Sequence, residues 1–372
     1  MLIALISLLV VKIIEELTLQ VRSSMVQVAR DDLRYVGLSA LETSIAVISE
    51  VQELDGDKLH GPNQGWADPI AYAEGLEWPE SVDIKITITD ESGKFPLQAA
   101  KPETLRAFFE YLEIDFSDAE TMTDSLLDWT DEDDSERLNG AESRYYELED
   151  LPIKPPNAAL KSWDALRYIQ GFKENFFDED GAPNDLHRRF TESFSLHTEE
   201  NPNINTMSTD VLETLAEQYS FETDFYLDYL KGQDRIAGTG DDAFLTGKDE
   251  LAQAGIYTDD LPVTYESHLL KVVVEVSSGE MQYMLNALVD TGTDSTSPNN
   301  RESATEDEQG SLPGEATTSG QNPVQIDSND QGDNTDLDDR SGSEEDGSGG
   351  RGDGSDNYRY TLVKLMEGVR ID

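Results

Sequence analysis

The N-terminal part of the chain has apolar residues at steps of three and four. An almost continuous apolar run occupies residues 1–14, and the same spacing continues to residue 53 with charged residues in the gaps. This period is typical of an α-helix with one apolar side. It predicts one long helix over residues 1–53, in which Gly37 is the weakest helical position.

The apolar run at residues 1–14 is short for a membrane span. A transmembrane helix needs about 20 consecutive apolar residues, and Lys12 interrupts this run. It also lacks the basic region and the small-residue cleavage site that mark a cleavable secretory signal. The residues alone leave three choices: a helix at the membrane interface, a marginal spanning helix, or a buried core helix.

Strand patterns occur in three widely separated parts of the chain. Residues 82–89 alternate strictly between apolar and polar side chains, and residues 268–276 and 280–289 flank a turn at Gly279. Alternation resumes at residues 358–366. Because period-two alternation indicates a half-buried strand, these segments predict a small antiparallel sheet.

The long stretch between the first two strands has helical character. Apolar residues recur at helical spacing after helix-start signals at Lys101-Pro102, Ser117, Ser162 and Ser208. A strand, then helices, then more strands predicts an α+β fold in which a large all-helical domain interrupts the sheet. The predicted parts are a stem helix (1–53), the first part of the α+β domain (54–98), the inserted helical domain (99–262) and the closing strands (263–289 and 357–372).

Residues 290–356 lose all periodicity. They are rich in Ser, Gly, Asn and Asp and carry 18 acidic side chains against three basic ones. Such a segment has too little apolar area to offset the entropy of ordering it, so we expect a disordered acidic insertion. A sheet tolerates a long insertion of this kind because loop-closure entropy grows slowly with length.

The charge of the chain restricts its partners. With 27 basic and 78 acidic residues, the formal net charge is −51. A field of that sign repels nucleic acid, which excludes it as a partner, and attracts divalent cations. Cysteine is absent, so a disulfide framework, a thiol nucleophile and a thiolate metal site are all excluded.

The densest group of candidate ligands follows the segment that ends in Trp129. Three aspartates stand within one short turn, and Glu142 can return from the far side of the bend at Asn139-Gly140. Hard cations such as Ca²⁺ take six to eight oxygen ligands from loops of this kind. A solvated acidic turn is the simpler alternative. The predicted calcium ligands are Asp131, Asp133, Asp134 and Glu142.

Other chemical signals are weaker. A second acidic loop at residues 234–242 is more simply explained as solvated than as a metal site. The four histidines lack the spacing of a zinc motif, and neither a G-x-S-x-G elbow nor a phosphate loop is present. Paired carboxylates could serve a hydrolase, but with 78 acidic residues such pairs arise by chance.

Several motifs resemble one family in the same order. LLDW-x-D-x-D (126–133) is followed by NGAE-x-x-YY (139–146), by P-x-N (155–157) and by SWDALRYIQGF (162–172). Shorter signals outside this stretch are the GWA at 65–67, the strand and turn at 86–97 and the NINT segment starting at 203. Together they resemble the type II secretion minor pseudopilin K family over residues 1–290.

The resemblance implies a pseudopilin-like fold and a structural, non-enzymatic role. It implies a minor pseudopilin at the tip of the type II secretion pseudopilus, acting in protein secretion across the outer membrane with the I-type and J-type minor pseudopilins as partners. The N-terminal helix would anchor the chain in the bacterial inner membrane by a single pass, membrane-proximal at 1–24, with the soluble domain in the periplasm. Leu5 stands where pilins usually have a glutamate that accepts the next subunit.

The family's precursors also carry a short basic leader ending in glycine, which this sequence lacks. We therefore expect that the leader has been removed or that translation starts upstream. Two alternative functions remain. One is a membrane-anchored periplasmic or surface module that binds calcium and mediates adhesion or another interaction. The other is a carboxylate hydrolase, which predicts a concave pocket with two facing carboxylates, one of them with a raised pKa.

Overall fold

The structure is a computed structural model that describes residues 2–73, 75, 78–148, 154–236, 241–258, 260–292 and 360–371. The helices are α1 (Leu2–Leu54), α2 (Pro69–Tyr72), α3 (Pro102–Tyr111), α4 (Phe116–Thr130), α5 (Ser143–Leu148), α6 (Phe172–Phe176), α7 (Asp185–Ser193), α8 (Thr209–Tyr219) and α9 (Thr223–Leu230). The strands are β1 (Asp83–Asp90), β2 (Phe95–Pro96), β3 (Phe194–Ser195), β4 (Leu269–Ser278), β5 (Met281–Asp290) and β6 (Thr361–Ile371).

Four strands form one antiparallel sheet in the order β1-β4-β5-β6. Asp90 pairs with Leu270, and a tight turn joins Ser278 to Met281. Strand β6 pairs along β5, with a register shift at Leu288/Val289. The predicted antiparallel sheet is therefore confirmed, and its two edges are β1 and β6.

Helix α1 packs on one face of this sheet. Alternate residues of β4 point toward it, because successive side chains of a strand face opposite sides. Leu41, Ile45 and Ile48 of α1 share a buried cluster with Val272 and Val274. At Gly37, an added Cβ would lie 2.7 Å from the Tyr283 ring, so the apparent weak position in the helix permits close packing.

The helical part of the chain has its own aromatic core. Phe108 and Phe109 of α3 contact Phe190 of α7, at ring-centroid distances of 6.0 and 5.8 Å. The short parallel pair β2–β3 joins this core to the end of the first strand through Phe95 and Phe194, whose ring centroids lie 5.3 Å apart. The core around Phe190 and the cluster under α1 are separate groups of buried residues.

A buried carboxylate joins the sheet to the helical part. Asp90 Oδ2 accepts hydrogen bonds from the hydroxyls of Thr206 and Ser267, both at 2.6 Å, and from the amide of Asn203 at 3.2 Å. Its Oδ1 accepts the N–H of Ser92 at 2.8 Å. These donors come from three separate parts of the chain, so one side chain holds together both crossings between the sheet and the inserted helices.

The predicted α+β fold, with its long N-terminal helix, is confirmed. Locally, the helix expected from Ser162 is instead a 3₁₀ helix over Trp163–Tyr168. Gly171, with φ at 83°, directly precedes α6. The predicted disordered segment lies, from residue 293 onward, outside the described residues. Among the described residues, no helix combines the length and apolar character needed to cross a membrane.

We predict that Asp90→Ala lowers the free energy of unfolding by about 2 to 4 kcal/mol, because several buried donors lose their acceptor together. Asp83→Ala, at the exposed start of the same strand, is the matched control and should change it by less than about 0.5 kcal/mol. Urea denaturation measures both. Equal effects of the two substitutions would contradict this role of Asp90.

Candidate metal centre

The candidate site lies in the loop that joins α4 to α5. Trp129 near the end of α4 packs edge-on against Tyr146 of α5, with ring centroids 5.4 Å apart. Both side chains are buried. This contact fixes the two ends of the loop, so its carboxylates are held in a small volume.

Three of the four predicted ligands converge. Asp131, Asp133 and Glu142 each offer a carboxylate oxygen, and these oxygens lie within 4.8 Å of one another. The fourth, Asp134, lies outside this group, and its Oδ1 accepts a hydrogen bond from the Ser143 hydroxyl at 3.0 Å. Among the described residues, this is the one cluster of three side chains with metal-ligand spacing.

Glu142 is the most unusual member of the cluster. Its side chain is 2% exposed, and neither carboxylate oxygen has a hydrogen-bond partner. Burial, reinforced by the charges of Asp128, Asp131 and Asp134, raises the pKa of Glu142 to about 7. A buried ionised carboxylate without a partner is costly, so this position favours either a bound proton or a bound cation.

Arg137 neutralises the negative charges of Asp128 and Asp131. Its guanidinium donates to Asp128 at 2.6 Å and to Asp131 at 2.5 Å, and its backbone N–H donates to Asp128 at 3.1 Å. Burial raises the pKa of Asp128, while these bonds from Arg137 oppose the shift. Glu142 has no hydrogen bond from this arginine, so the positive charge does not satisfy its oxygens.

A rigid turn places Glu142 opposite the aspartates. Asp124 Oδ2 accepts both the backbone N–H and the side-chain amide of Asn139, each at 3.1 Å. At Gly140, an added Cβ would lie 2.0 Å from Asp128 Oδ2, so the turn has no room for a side chain. The Asn-Gly pair is thus required by close packing against α4.

Asn157 is an additional candidate ligand. Its amide donates to the backbone carbonyl of Asp133 at 2.6 Å, and its Oδ1 is buried without a partner. Its φ of 46° is in the left-handed region, which asparagine tolerates better than most residues. A second unsatisfied oxygen beside the cluster increases the number of donors available to a hard cation.

The site fits an oxygen-coordinated cation. Three carboxylates, the carbonyl of Asn157 and water would reach the six to eight oxygens that Ca²⁺ takes. In the second acidic loop, Asp241 Oδ2 instead accepts the backbone N–H groups of Gln233 and Asp234 at 2.8 and 3.0 Å. Residues 237–240 of that loop lie outside the described part of the chain.

Asp128 and Asn157 were not predicted as functional residues. Both lie in motifs that the sequence makes visible, the LLDW segment and the Pro155-Pro156-Asn157 segment. Their roles depend on burial, because Asp128 holds Arg137 from inside the core and Asn157 approaches from 24 residues downstream of Asp133. The spacing of residues alone gives no signal of either contact.

Comparisons with known proteins agree with the motifs. Residues 87–179 match the family model described as type II secretion system (T2SS), protein K. The putative type II secretion system protein K of Escherichia coli K12 is 28% identical over 151 residues, which cover 37% of this chain and 45% of that relative. The resemblance to protein K is thereby confirmed, over a match that spans less than half of the relative's length.

A solved structure shares the fold. It is a chain of the GspK-GspI-GspJ complex from the type 2 secretion system of enterotoxigenic Escherichia coli, with 18% sequence identity and a TM-score of 0.51. The alignment covers 72% of this chain and 93% of that chain.

We predict a specific pH dependence without divalent cations. Because the pKa of Glu142 is about 7 in the native state and 4.5 ordinarily, the native state retains a proton that the unfolded state has lost. Raising the pH from 4.5 through 7 removes this proton and therefore lowers stability. Glu142→Gln should abolish this part of the pH dependence of stability, because glutamine does not ionise.

Thermal unfolding in EDTA at pH 5 and pH 8 measures the effect. The unsubstituted chain should lose more stability over this interval than Glu142→Gln, by on the order of 2 kcal/mol. Glu132→Gln, an exposed position in the same loop, is the control and should behave like the unsubstituted chain. Parallel pH profiles for the chain and Glu142→Gln would show that Glu142 is not a strained buried acid.

Proposed function

We propose that this chain, which resembles type II secretion system protein K in sequence and fold, is a minor pseudopilin at the tip of the type II secretion pseudopilus. In this role it is a structural subunit of the pseudopilus and takes part in protein secretion across the outer membrane. The observation that carries the proposal is the architecture: a 53-residue helix on a small antiparallel sheet that is interrupted by a helical domain.

The long helix supports assembly with other stem-bearing subunits. Its C-terminal half is buried against the sheet, but Val28 and Tyr35 are 60% and 67% exposed. Exposed apolar side chains along a helix are typical of surfaces that a partner covers. The proposed partners are I-type and J-type minor pseudopilins, since the similar solved chain comes from a GspK-GspI-GspJ complex.

The helical part supports a position at the tip. The chain leaves the sheet after β1 and re-enters it at β4, and because Asp90 pairs with Leu270, the helical part begins and ends at the same end of the strands. A subunit with such an addition is too wide to be covered by another stem-packed copy. A tip subunit would therefore cap growth and leave the helical domain exposed.

The proposed location is the bacterial inner membrane, with the folded domain in the periplasm. The apolar residues 1–14 support contact with the membrane. A non-enzymatic role is supported by the position of Glu142. It has a raised pKa and carboxylate neighbours, as a hydrolase acid would, but it is 2% exposed and out of reach of a substrate.

Calcium is the proposed ligand of the site between α4 and α5, held by Asp131, Asp133 and Glu142. Support comes from the unpartnered buried carboxylate of Glu142 and from the convergence of its oxygens with those of the aspartates. Asp134 would lie outside the group of coordinating carboxylates, since its Oδ1 accepts a hydrogen bond from the Ser143 hydroxyl. A bound cation would hold together the carboxylates of the loop, whose two ends are already fixed by the contact between Trp129 and Tyr146.

We predict that the tagged chain, co-expressed with I-type and J-type pseudopilins, retains both through an affinity column. Val28→Asp should reduce the recovered partners at least tenfold, because it places a charge in the stem contact. Gln27→Asp, the exposed neighbour, is the matched control and should retain them. The melting temperatures of both variants should equal that of the chain alone.

A chain that remains monomeric beside both partners would contradict the pseudopilin proposal. That outcome would favour the calcium-binding adhesion or interaction module.

A second prediction concerns the cation. At fixed high ionic strength, Ca²⁺ should raise the melting temperature relative to EDTA, corresponding to about 2.7 kcal/mol at a hundredfold excess over the dissociation constant. Mg²⁺ should act weakly, because it demands octahedral geometry and retains its waters. Asp131→Ala with Asp133→Ala should abolish the Ca²⁺ shift.

The control is Glu179→Ala with Asp180→Ala, which removes two exposed carboxylates elsewhere. It should keep the full shift. Identical melting in EDTA, Ca²⁺ and Mg²⁺, or a shift that persists without Asp131 and Asp133, would mean that the loop is a solvated acidic turn. Neither result affects the partner experiment, so the two proposals are tested separately.

A further inference from the structure

A cleft lies on the opposite face of the sheet from α1. Its volume is about 370 Å³. Its floor is formed by β4, β5 and β6, and its walls by the segment before the 3₁₀ helix and by the residues after β3. It is therefore bounded by both the sheet and the helical part of the chain.

The charge of this cleft is opposite to that of the protein. Lys161, Lys271 and Lys364 line it, and all three side chains belong to exposed residues. Within the described part of the chain, none of the three forms an ion pair with any of its many carboxylates. In a molecule with 78 acidic residues, three unpaired lysines in one cleft are an unusual concentration of positive charge.

The acidic groups of the cleft are already neutralised. Glu91 is bound by Lys94 at 2.7 Å, and Asp164 lies 3.6 Å from Arg167. Partial burial lowers the pKa of His197, and the charges of Lys364, Lys94 and Lys271 lower it further against the opposing effect of Glu91. The net charge that the cleft presents is therefore that of the three lysines.

The strand register sets the spacing of two of these lysines. Lys271 is paired with Leu288, and Leu288 is paired with Lys364. The two lysines therefore lie on the same face, two strand spacings or about 10 Å apart, with an apolar side chain between them. Trp163, Leu196 and Met366 add further apolar surface around this row.

This arrangement matches an extended acidic peptide. Residues three apart in a polyproline II chain lie on the same side of the chain and are separated by about 9 Å, so two carboxylates at that spacing can meet Lys271 and Lys364 together. An apolar residue between them would contact Leu288. A single inorganic anion is too small to reach both lysines and would leave the apolar surface exposed.

We propose that this cleft is a docking site for an acidic polypeptide segment of a partner, with carboxylates three residues apart and an apolar residue between them. The site goes beyond the pseudopilin role and does not use the stem contact around Val28. Electrostatic attraction in the cleft gives selectivity, because elsewhere the surface of this chain repels acidic peptides.

The test is fluorescence anisotropy with the full chain at about 0.15 M salt, where screening limits attraction to about 8 Å. The probe is a fluorescein-labelled peptide of sequence GSDLSDGSDLSDGS, and the control peptide is GSNLSNGSNLSNGS. The acidic peptide should bind saturably, and the control peptide should bind at least tenfold more weakly. Equal affinities, or no binding, would overturn the proposal.

Two protein variants locate the binding. Lys271→Gln with Lys364→Gln should weaken binding at least tenfold, without a change in melting temperature because both residues are exposed. Lys101→Gln with Lys173→Gln removes two exposed lysines outside the cleft and should bind as the unsubstituted chain does. Equal weakening by the two double variants would mean nonspecific attraction and would overturn the site.

A competition experiment separates a peptide site from a free-anion site. Inorganic phosphate, at the same total charge as the peptide, should not displace it. Displacement at equal charge would show that the lysines bind any small anion.

Discussion

The buried carboxylate of Asp90 is the interaction on which the arrangement of this protein depends. A chain that leaves a sheet for a large helical excursion must return to a defined position, or the later strands cannot pair in register. Asp90 ends β1, and its oxygens collect donors from Thr206 within the excursion and from Ser267 just before the chain re-enters the sheet. Asn203 adds bonds from its amide to Asp90, to Ser267 and to the carbonyl of His60.

Such a network is costly to leave incomplete, because each buried polar group needs its partner. Its members come from four separate positions in the sequence, so it forms only when the sheet and the inserted helices are correctly placed together. The loop after α4 also contains a buried carboxylate, but there the hydrogen bonds are incomplete. Polar groups surround the carboxylate of Glu142, but its two oxygens have no hydrogen-bond partner. A buried carboxylate whose two oxygens both lack a hydrogen-bond partner distinguishes this candidate ligand site from the satisfied network around Asp90.

The elements with strong periodicity could be predicted from sequence, and the contacts that join them could not. The helix over the first 53 residues and the alternation at residues 82–89 correspond to α1 and β1, because each pattern reflects burial on one face. The excursion between β1 and β4 followed from the order of patterns along the chain. By contrast, the roles of Asp90 and Arg137 depend on partners that the fold brings close. The helix after Ser162 is a 3₁₀ helix, and local sequence does not distinguish this helix type from an α-helix. In the metal site, three predicted ligands converge, while the bond between Asp134 and Ser143 is a detail of rotamer and backbone that spacing does not encode.

In the proposed assembly, the exposed side of α1 meets other subunits and the helical part is the free end. Site-specific photo-cross-linking in cells that express the secretion system tests this most directly. A photoreactive residue at Val28 should cross-link to the I-type or J-type pseudopilin, and one at Glu179 in the helical part should cross-link to neither. Cross-links from Glu179 to a stem-bearing subunit, with none from Val28, would contradict the account.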